Sequence, residues 1–460
     1  MIVPLTDRLH LGAVLVLAVI VVLALFCHSA PCVYALSILY ICGAALSFAA
    51  SITDDSRGGV DFLFNFFFLF LIAFPAYAQV SAGVFPWFAD LSLIHQALGF
   101  GLIAISHCSY LLGISFAMRH PAGPRYTRAE RITSSAERFF TRWAAGFAIV
   151  SVLFAVAAGP SNLFEERFGR EFEGLTQQFL HIARSISLLA MVMMLGLSRF
   201  VGSLRLRRWN LLAALVFTPV FFIINYPPAL PRFSLMGSLI ALSAVLVDYR
   251  RPRIKLAMAF VAAVMLFTVF PVLKFVARDI PLSEFLSAIG SVNYQEFLLN
   301  VDVDGFMQIA STVKYLLEEN AGLRWGYNFL GVLLFFVPRA IWPGKPIDTG
   351  ELVSAELGYS YNNVCSPLPA EALIAFGPLG PVIIFLGLGY VVLRIEQAAF
   401  GPAQSALQLG YFFLYALLMG FIVIILRGAL NGVVPHFASG FLALVIMMLM
   451  RDKLVFRGAG

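Results

Sequence analysis

Leu11–Phe26 reads LGAVLVLAVIVVLALF, sixteen positions without a charge, an amide or a hydroxyl. Such a run can enter hydrocarbon only if its backbone N–H and C=O groups pair within the segment, which a helix achieves. With its flanks (10–27) it extends about 27 Å as a helix, close to the thickness of a bilayer core. Arg8 precedes it and no small-residue cleavage site follows, so it is a retained first helix.

The same pattern recurs along the chain. Further apolar runs lie near 33–50, 60–80, 91–117, 143–158, 179–198, 210–226, 232–248, 256–273, 371–393, 406–426 and 436–450, giving about twelve spans. The composition agrees: 460 residues are 60% hydrophobic and only 12% charged, against about 25% charged in soluble domains. The expected fold is an all-α polytopic membrane protein forming one embedded domain over 1–460. The five cysteines form no CxxC or Cys/His cluster, so no metal and no cofactor is expected. Cys27 and Cys32 flank a short turn and can pair only in an oxidising compartment; the simpler expectation leaves both as idle thiols.

Most of the 31 basic residues fall in one set of short connections and ends: Arg8, Arg57, Arg119 to Arg142, Arg199 to Arg208, Arg250 to Lys255, Arg394 and Arg451 to Arg457. By the positive-inside rule that face is cytoplasmic, with both termini inside. The net charge of +6 follows from this bias and does not point to nucleic acid. On this face Asp54-Asp55 reads as a solvated turn.

The remaining basic residues lie where topology does not need them. Arg184 falls within the sixth run, Arg232 opens the eighth, Lys274 and Arg278 close the ninth, and Arg427 ends the eleventh. A charge at bilayer depth costs at least ~2.5 kcal/mol, so such residues face a cavity and a partner, or snorkel to the interface. Sharing one face, they read as the lining of an anion site. That face also carries 274–370, an extended loop region. Within it, Asp304 and the following GFMQIASTVKYLLEEN predict an N-capped amphipathic helix with Phe306, Ile309, Val313 and Leu317 on one side. Asn293–Leu299 predicts another short helix. Together they form a folded lid on the outer leaflet.

Inside this region Phe335–Gly350, FFVPRAIWPGKPIDTG, breaks any helix with Pro338, Pro343 and Pro346. Trp342 suits interface depth. Arg339 supplies a planar fork and Lys345 a point charge, a pairing suited to pyrophosphate; the other reading pairs Arg339 with Asp348 or Glu351. Three carboxylate and imidazole candidates stand nearby in sequence. Glu371, opening the tenth run, is either a general base or an acid favoured at a helix start. Asp304 and His436 are further base candidates. Asp302-Val-Asp304 is a DxD pattern, although Asp304 already has a capping explanation. His95, His107 and His181 lack metal-ligand spacing and read as satisfied core histidines.

Several segments in order resemble the Wzy-type O-antigen or oligosaccharide repeat-unit polymerases. They are Arg232 at the start of a mid-chain helix, VPRAIWPGKP, YNNVCSPLPAEALIAFGPLGP and the closing Arg427-Gly428 pair. The resemblance covers the C-terminal half; the N-terminal half agrees in hydropathy alone. It implies a GT-C-like membrane glycosyltransferase of the bacterial inner membrane. Such an enzyme moves a growing glycan from undecaprenyl pyrophosphate to a new lipid-linked repeat unit at the periplasmic face, in lipopolysaccharide-type polysaccharide biosynthesis. It also implies lipid-linked oligosaccharide donor and acceptor, a chain-length regulator as partner, and no metal. The cations expected at the pyrophosphate are Arg232, Arg339, Lys345 and Arg427, then Lys274 and Arg278. Two other classes remain open: an O-antigen ligase with the same arginines, and a lipid-linked oligosaccharide flippase, which would more often show internal repeats and a midplane site.

Overall fold

The computed structural model describes residues 5–119, 134–164, 175–269, 293–319, 321–360, 364–401 and 406–455, with 271, 283 and 287. All regular structure among them is helical. Nine of these helices are long and apolar enough to cross a bilayer. They are α1 (Leu5–Ala24), α2 (Ala30–Thr53), α3 (Gly59–Ala82), α4 (Leu93–Arg119), α5 (Ser135–Ala157), α6 (Leu175–Phe200), α7 (Leu204–Ile224), α8 (Leu379–Phe400) and α9 (Leu407–Arg427). A bent pair, Leu430–His436 and Ala438–Met450, meets at 56° and makes a tenth candidate. Arg232–Leu246 is apolar but shorter, and Pro252–Val264 runs on into a π-helical stretch to Val269. The chain is therefore a polytopic helical membrane protein.

The helices have two distinct ends. One gathers the arginine-rich connections; the other carries the long region before α8 and is called here the loop end. At the arginine-rich end, α2 and α3 are separated by a tight turn whose backbone groups would be stranded in the bundle. Two distant side chains satisfy them. The ammonium of Lys255, wholly buried, donates to the carbonyls of Ser51 (2.6 Å), Asp54 (2.8 Å) and Arg57 (2.9 Å), closing the C-terminus of α2. The carboxylate of Glu396 accepts from the N–H groups of Gly58 (2.7 Å), Val60 (2.9 Å) and Asp61 (3.3 Å), closing the N-terminus of α3. Each charge also faces the favourable end of a helix dipole. Arg57 is buried between Asp54 (3.1 Å) and Asp61 (3.5 Å). Asp54-Asp55 forms a turn with Asp55 exposed, as expected, whereas Arg57 and Lys255, expected as plain loop charges, are buried: Lys255 because it replaces missing backbone donors, Arg57 because it pairs with two carboxylates.

From this cluster a polar track runs inward. Asn65 donates to Asp61 and accepts from His107 (3.1 Å) and Ser47, while His107 Nδ1 meets the Tyr40 hydroxyl (3.4 Å). His107 is a satisfied core histidine, as its sequence context predicts. Within α3 the stretch Phe67–Ala73 is π-helical, Phe74 N–H reaching Leu69 O. Pro75 lies just beyond and supplies the cause, since it cannot donate to the preceding turn.

Two close helix crossings hold the bundle together. Gly113 of α4 meets Gly389 of α8, and Gly237 meets Gly420 of α9. A Cβ on Gly237 would lie 2.6 Å from the Gly420 carbonyl, so only glycine allows this approach. The loop-end turn between α1 and α2 holds a Cys27–Cys32 disulfide, with Cα atoms 5.7 Å apart. The two thiols expected to stand idle are joined, because the five-residue separation closes back on itself.

The region before α8 departs from a lid. Helix α10 (Gly305–Glu318) is buried on every side from Gly305 to Val313, Gln308, Ser311 and Thr312 included, and packs against α4, α3 and α11 (Leu368–Phe376). Of the face expected inward, Phe306, Ile309 and Val313 are buried, but Leu317 in the last turn is 52% exposed. The short helix Tyr294–Leu298 forms as its sequence predicts, capped by Asn293, whose side chain accepts from Gln295 and Glu296 N–H. The expected span 371–393 is broken, since α11 ends at Phe376, Gly377 turns the chain at φ +64°, and α8 begins at Leu379.

Candidate functional site

The site is organised by the turn that follows α9. Arg427 ends that helix, and Gly428 then takes φ +65° with its Cα tight against the Ser366 carbonyl, a position closed to any side chain. The next residues run through α12 (Leu430–Val433), whose backbone N–H groups at Leu430 and Gly432 face the carboxylates of Glu371 and Asp348.

Arg427 Nη2 lies 3.6 Å from Asp304 Oδ1 and 3.5 Å from the Asp302 carbonyl. Asp304 is 1% exposed. It stands at the N-cap position of α10, yet its carboxylate makes no capping bond. It accepts instead from Trp87 Nε1 (3.0 Å) and Cys365 Sγ (2.9 Å). The capping role expected for Asp304 is therefore corrected: its charge is held for Arg427. Trp87 adopts φ 58°, rare for a bulky residue, and its indole bond to Asp304 holds it there. Burial, then the Asp304 charge, pushes the Cys365 thiol well above its ordinary value.

Glu371 is 2% exposed. Its Oε2 accepts from Asn328 Nδ2 (2.7 Å) and Thr349 Oγ1 (2.6 Å), and burial raises its pKa against these bonds. Asp348 is half-buried and opens the helix Thr349–Glu356 without a side-chain capping bond. Its Oδ1 is buried without a hydrogen-bond partner. Burial, with Glu371 and Glu351 nearby, pushes its pKa to about 6, while Gly432 N–H and Arg339 oppose the rise. Asp348 is thus a carboxyl poised between protonation states, the property needed in a general base. In the sequence it entered only as a partner for Arg339.

The proline-rich stretch is non-helical, as its prolines require. Arg339 donates from Nη1 to the Lys345 carbonyl (2.6 Å) and from Nη2 to the Pro346 carbonyl (3.2 Å). Lys345 Nζ donates back to the Phe335 (2.8 Å) and Val337 (3.1 Å) carbonyls. The two cations lace this loop together, and burial followed by Arg339 lowers the Lys345 pKa. Trp342 packs edge-on against Tyr327, whose hydroxyl donates to the Gly344 carbonyl.

Arg232 and His436 belong to a neighbouring cluster. Arg232 and Arg427 lie on the same side of the Gly237–Gly420 crossing, five and seven residues away, so about 7.5 and 10.5 Å along their helices. The His436 ring meets His181 (4.4 Å between centroids) and Phe233 (5.6 Å). With Arg184, Asn225, Ser234, Ser238 and Phe421 it lines a small cavity. The segment from Leu430 to His436 joins the two clusters. Lys274 and Arg278 lie outside the described residues. Among the described residues no group of three or more His, Cys, Asp or Glu side chains could hold a metal, the DxD pair included.

Fold and site together define a polytopic helical membrane protein with a carboxylate–arginine cluster at one end of its bundle. No family model, curated protein or solved structure matches the chain, so this definition rests on its own residues.

Proposed function

We propose that this protein is a bacterial surface-polysaccharide polymerase of the O-antigen type, with about twelve spans in a GT-C-like arrangement. In this reading the loop end faces the periplasm of a bacterial inner membrane, and the Cys27–Cys32 disulfide at that end suits an oxidising compartment. The observation that carries the proposal is the convergence of Arg427, Asp304, Asp348 and Glu371 on one turn, Arg427 and Glu371 standing in segments that resemble the polymerases.

The reaction assigns each group a role. The terminal sugar hydroxyl of one lipid-linked repeat unit attacks the anomeric carbon of the glycan on undecaprenyl pyrophosphate. A carbon–oxygen bond forms there, the bond to the pyrophosphate oxygen breaks, and the hydroxyl proton passes to Asp348. Arg427 and Arg232 face the departing pyrophosphate; one preorganised donor of this kind contributes ~3–4 kcal/mol. Arg339 and Lys345 act through the loop that carries Asp348. Glu371 fixes α11 against the helix after Asp348, and Trp342 lies at the interface where the lipid-linked substrates approach. No metal or cofactor is required, and a chain-length regulator is the expected partner.

Deleting the gene and reading the surface glycan tests the proposal. A cap of one repeat unit is the expected result. Accumulated lipid-linked polymer without a cap would make the protein a ligase instead, and repeat units trapped on the cytoplasmic side would make it a flippase.

A further inference from the structure

At the arginine-rich end, remote from the cluster just described, α5 and α7 enclose a groove of about 660 Å³. Arg138 and Arg142, one turn apart on α5, line one side; Arg205 and Arg208 line the other, beside Trp209. The floor is rigid. Asn210 Nδ2 donates to Thr141 Oγ1 (3.0 Å), tying the two helices, and Gly202 N–H, in the connection that leads into α7, donates to the buried Glu137 carboxylate of α5 (2.7 Å).

Below the arginines the surface changes character. Trp209, Leu212, Leu215 and Val216 form an exposed apolar strip descending α7, from 60% exposed at Trp209 to 76% at Val216. Planar guanidiniums above an aromatic girdle residue and a hydrocarbon strip match the vertical order of an anionic lipid: phosphate, glycerol level, acyl chain. A bias of loop charge alone requires positive residues on this face, but not their convergence from two helices on one concavity above such a strip.

We infer that this groove is a binding site for an anionic phospholipid of the leaflet at the arginine-rich end, with the guanidiniums of Arg142, Arg205 and Arg208 on its phosphate and Trp209 to Val216 along its acyl chain. The site is independent of the proposed transferase chemistry.

The test uses the full chain purified in a zwitterionic detergent and titrated with diphosphatidylglycerol or phosphatidylcholine, read by native mass spectrometry. The wild type is expected to retain diphosphatidylglycerol at least tenfold more tightly than phosphatidylcholine. The double variant Arg205→Gln/Arg208→Gln should weaken diphosphatidylglycerol binding about 30-fold. Arg251→Gln/Arg253→Gln removes the same charge from the same end outside the groove, and should change binding less than threefold. Equal losses in the two double variants would reduce the groove to general surface charge and overturn the inference. So would inorganic pyrophosphate displacing the lipid at equal concentration, since the apolar strip would then contribute nothing. Thermal midpoints of both variants within a few degrees of the wild type exclude misfolding as the cause.

Discussion

Replacing Asp348 by asparagine should stabilise the protein while removing its activity. Burial carries this carboxyl from an ordinary 3.8 to about 6. A folded-state pKa above the unfolded value means that the folded chain binds the proton more tightly. Its contribution is therefore fully present below about pH 4 and lost as pH rises through 6. Each step of one in pKa is worth about 1.4 kcal/mol. Allowing for solvent at the exposed edge, the ionised carboxylate destabilises the fold by about 2–3 kcal/mol above pH 6. Asp348→Asn removes that term without changing the side chain's shape. At pH 8 in detergent the variant should melt a few degrees above the wild type, with the two converging toward pH 4.5. Glycan polymerisation by the wild type should rise through an apparent pKa near 6 and level off, and the variant should fall by about 100-fold or more. Two results would refute the reasoning: a variant that melts below the wild type at pH 8, or polymerisation that keeps its acid limb without Asp348.

Other expected outcomes follow from single contacts. Arg427→Gln leaves the Asp304 carboxylate buried without its cation, at a cost of about 1–3 kcal/mol because the arginine is partly exposed; adding Asp304→Asn should recover much of the thermal stability and none of the polymerisation. Lys255→Met strands the carbonyls of Ser51, Asp54 and Arg57, and should lower the thermal midpoint by the equivalent of about 3–5 kcal/mol with no change in pH profile. Gly420→Ala drives a methyl into the Gly237 carbonyl and should abolish folded yield. Gly387→Ala, with open space around its Cβ, should stabilise α8 by up to about 1 kcal/mol; chromatography of the purified variants checks both.

The membrane class was legible because uncharged runs such as Leu11–Phe26 admit one physical solution. The proline-broken path at 338–346 and the Asn293-capped helix followed equally from local chemistry. Less legible were features whose cause lies far along the chain. Lys255 and Glu396 look like ordinary loop and helix-end charges until α2 and α3 are packed beside them. Asp304 precedes a helix as a cap would, and only Trp87, more than 200 residues earlier, and Arg427 beyond it reveal its other use. Periodicity placed Phe306, Ile309 and Val313 inward on α10 but was silent on the polar face, which is buried by α4 and α11. Arg339 and Lys345 were read as facing a ligand, whereas unpaired carbonyls in their own proline-rich loop take their donors.

The most direct measurement is synthesis by the purified protein in liposomes supplied with one lipid-linked repeat unit as both donor and acceptor. A ladder of lengthening glycans, with release of undecaprenyl pyrophosphate and none from the Asp348→Asn protein, is the predicted result. Repeat units that stay single while the folded protein remains intact, or a ladder undiminished by loss of Asp348 and Arg427 together, would contradict the account.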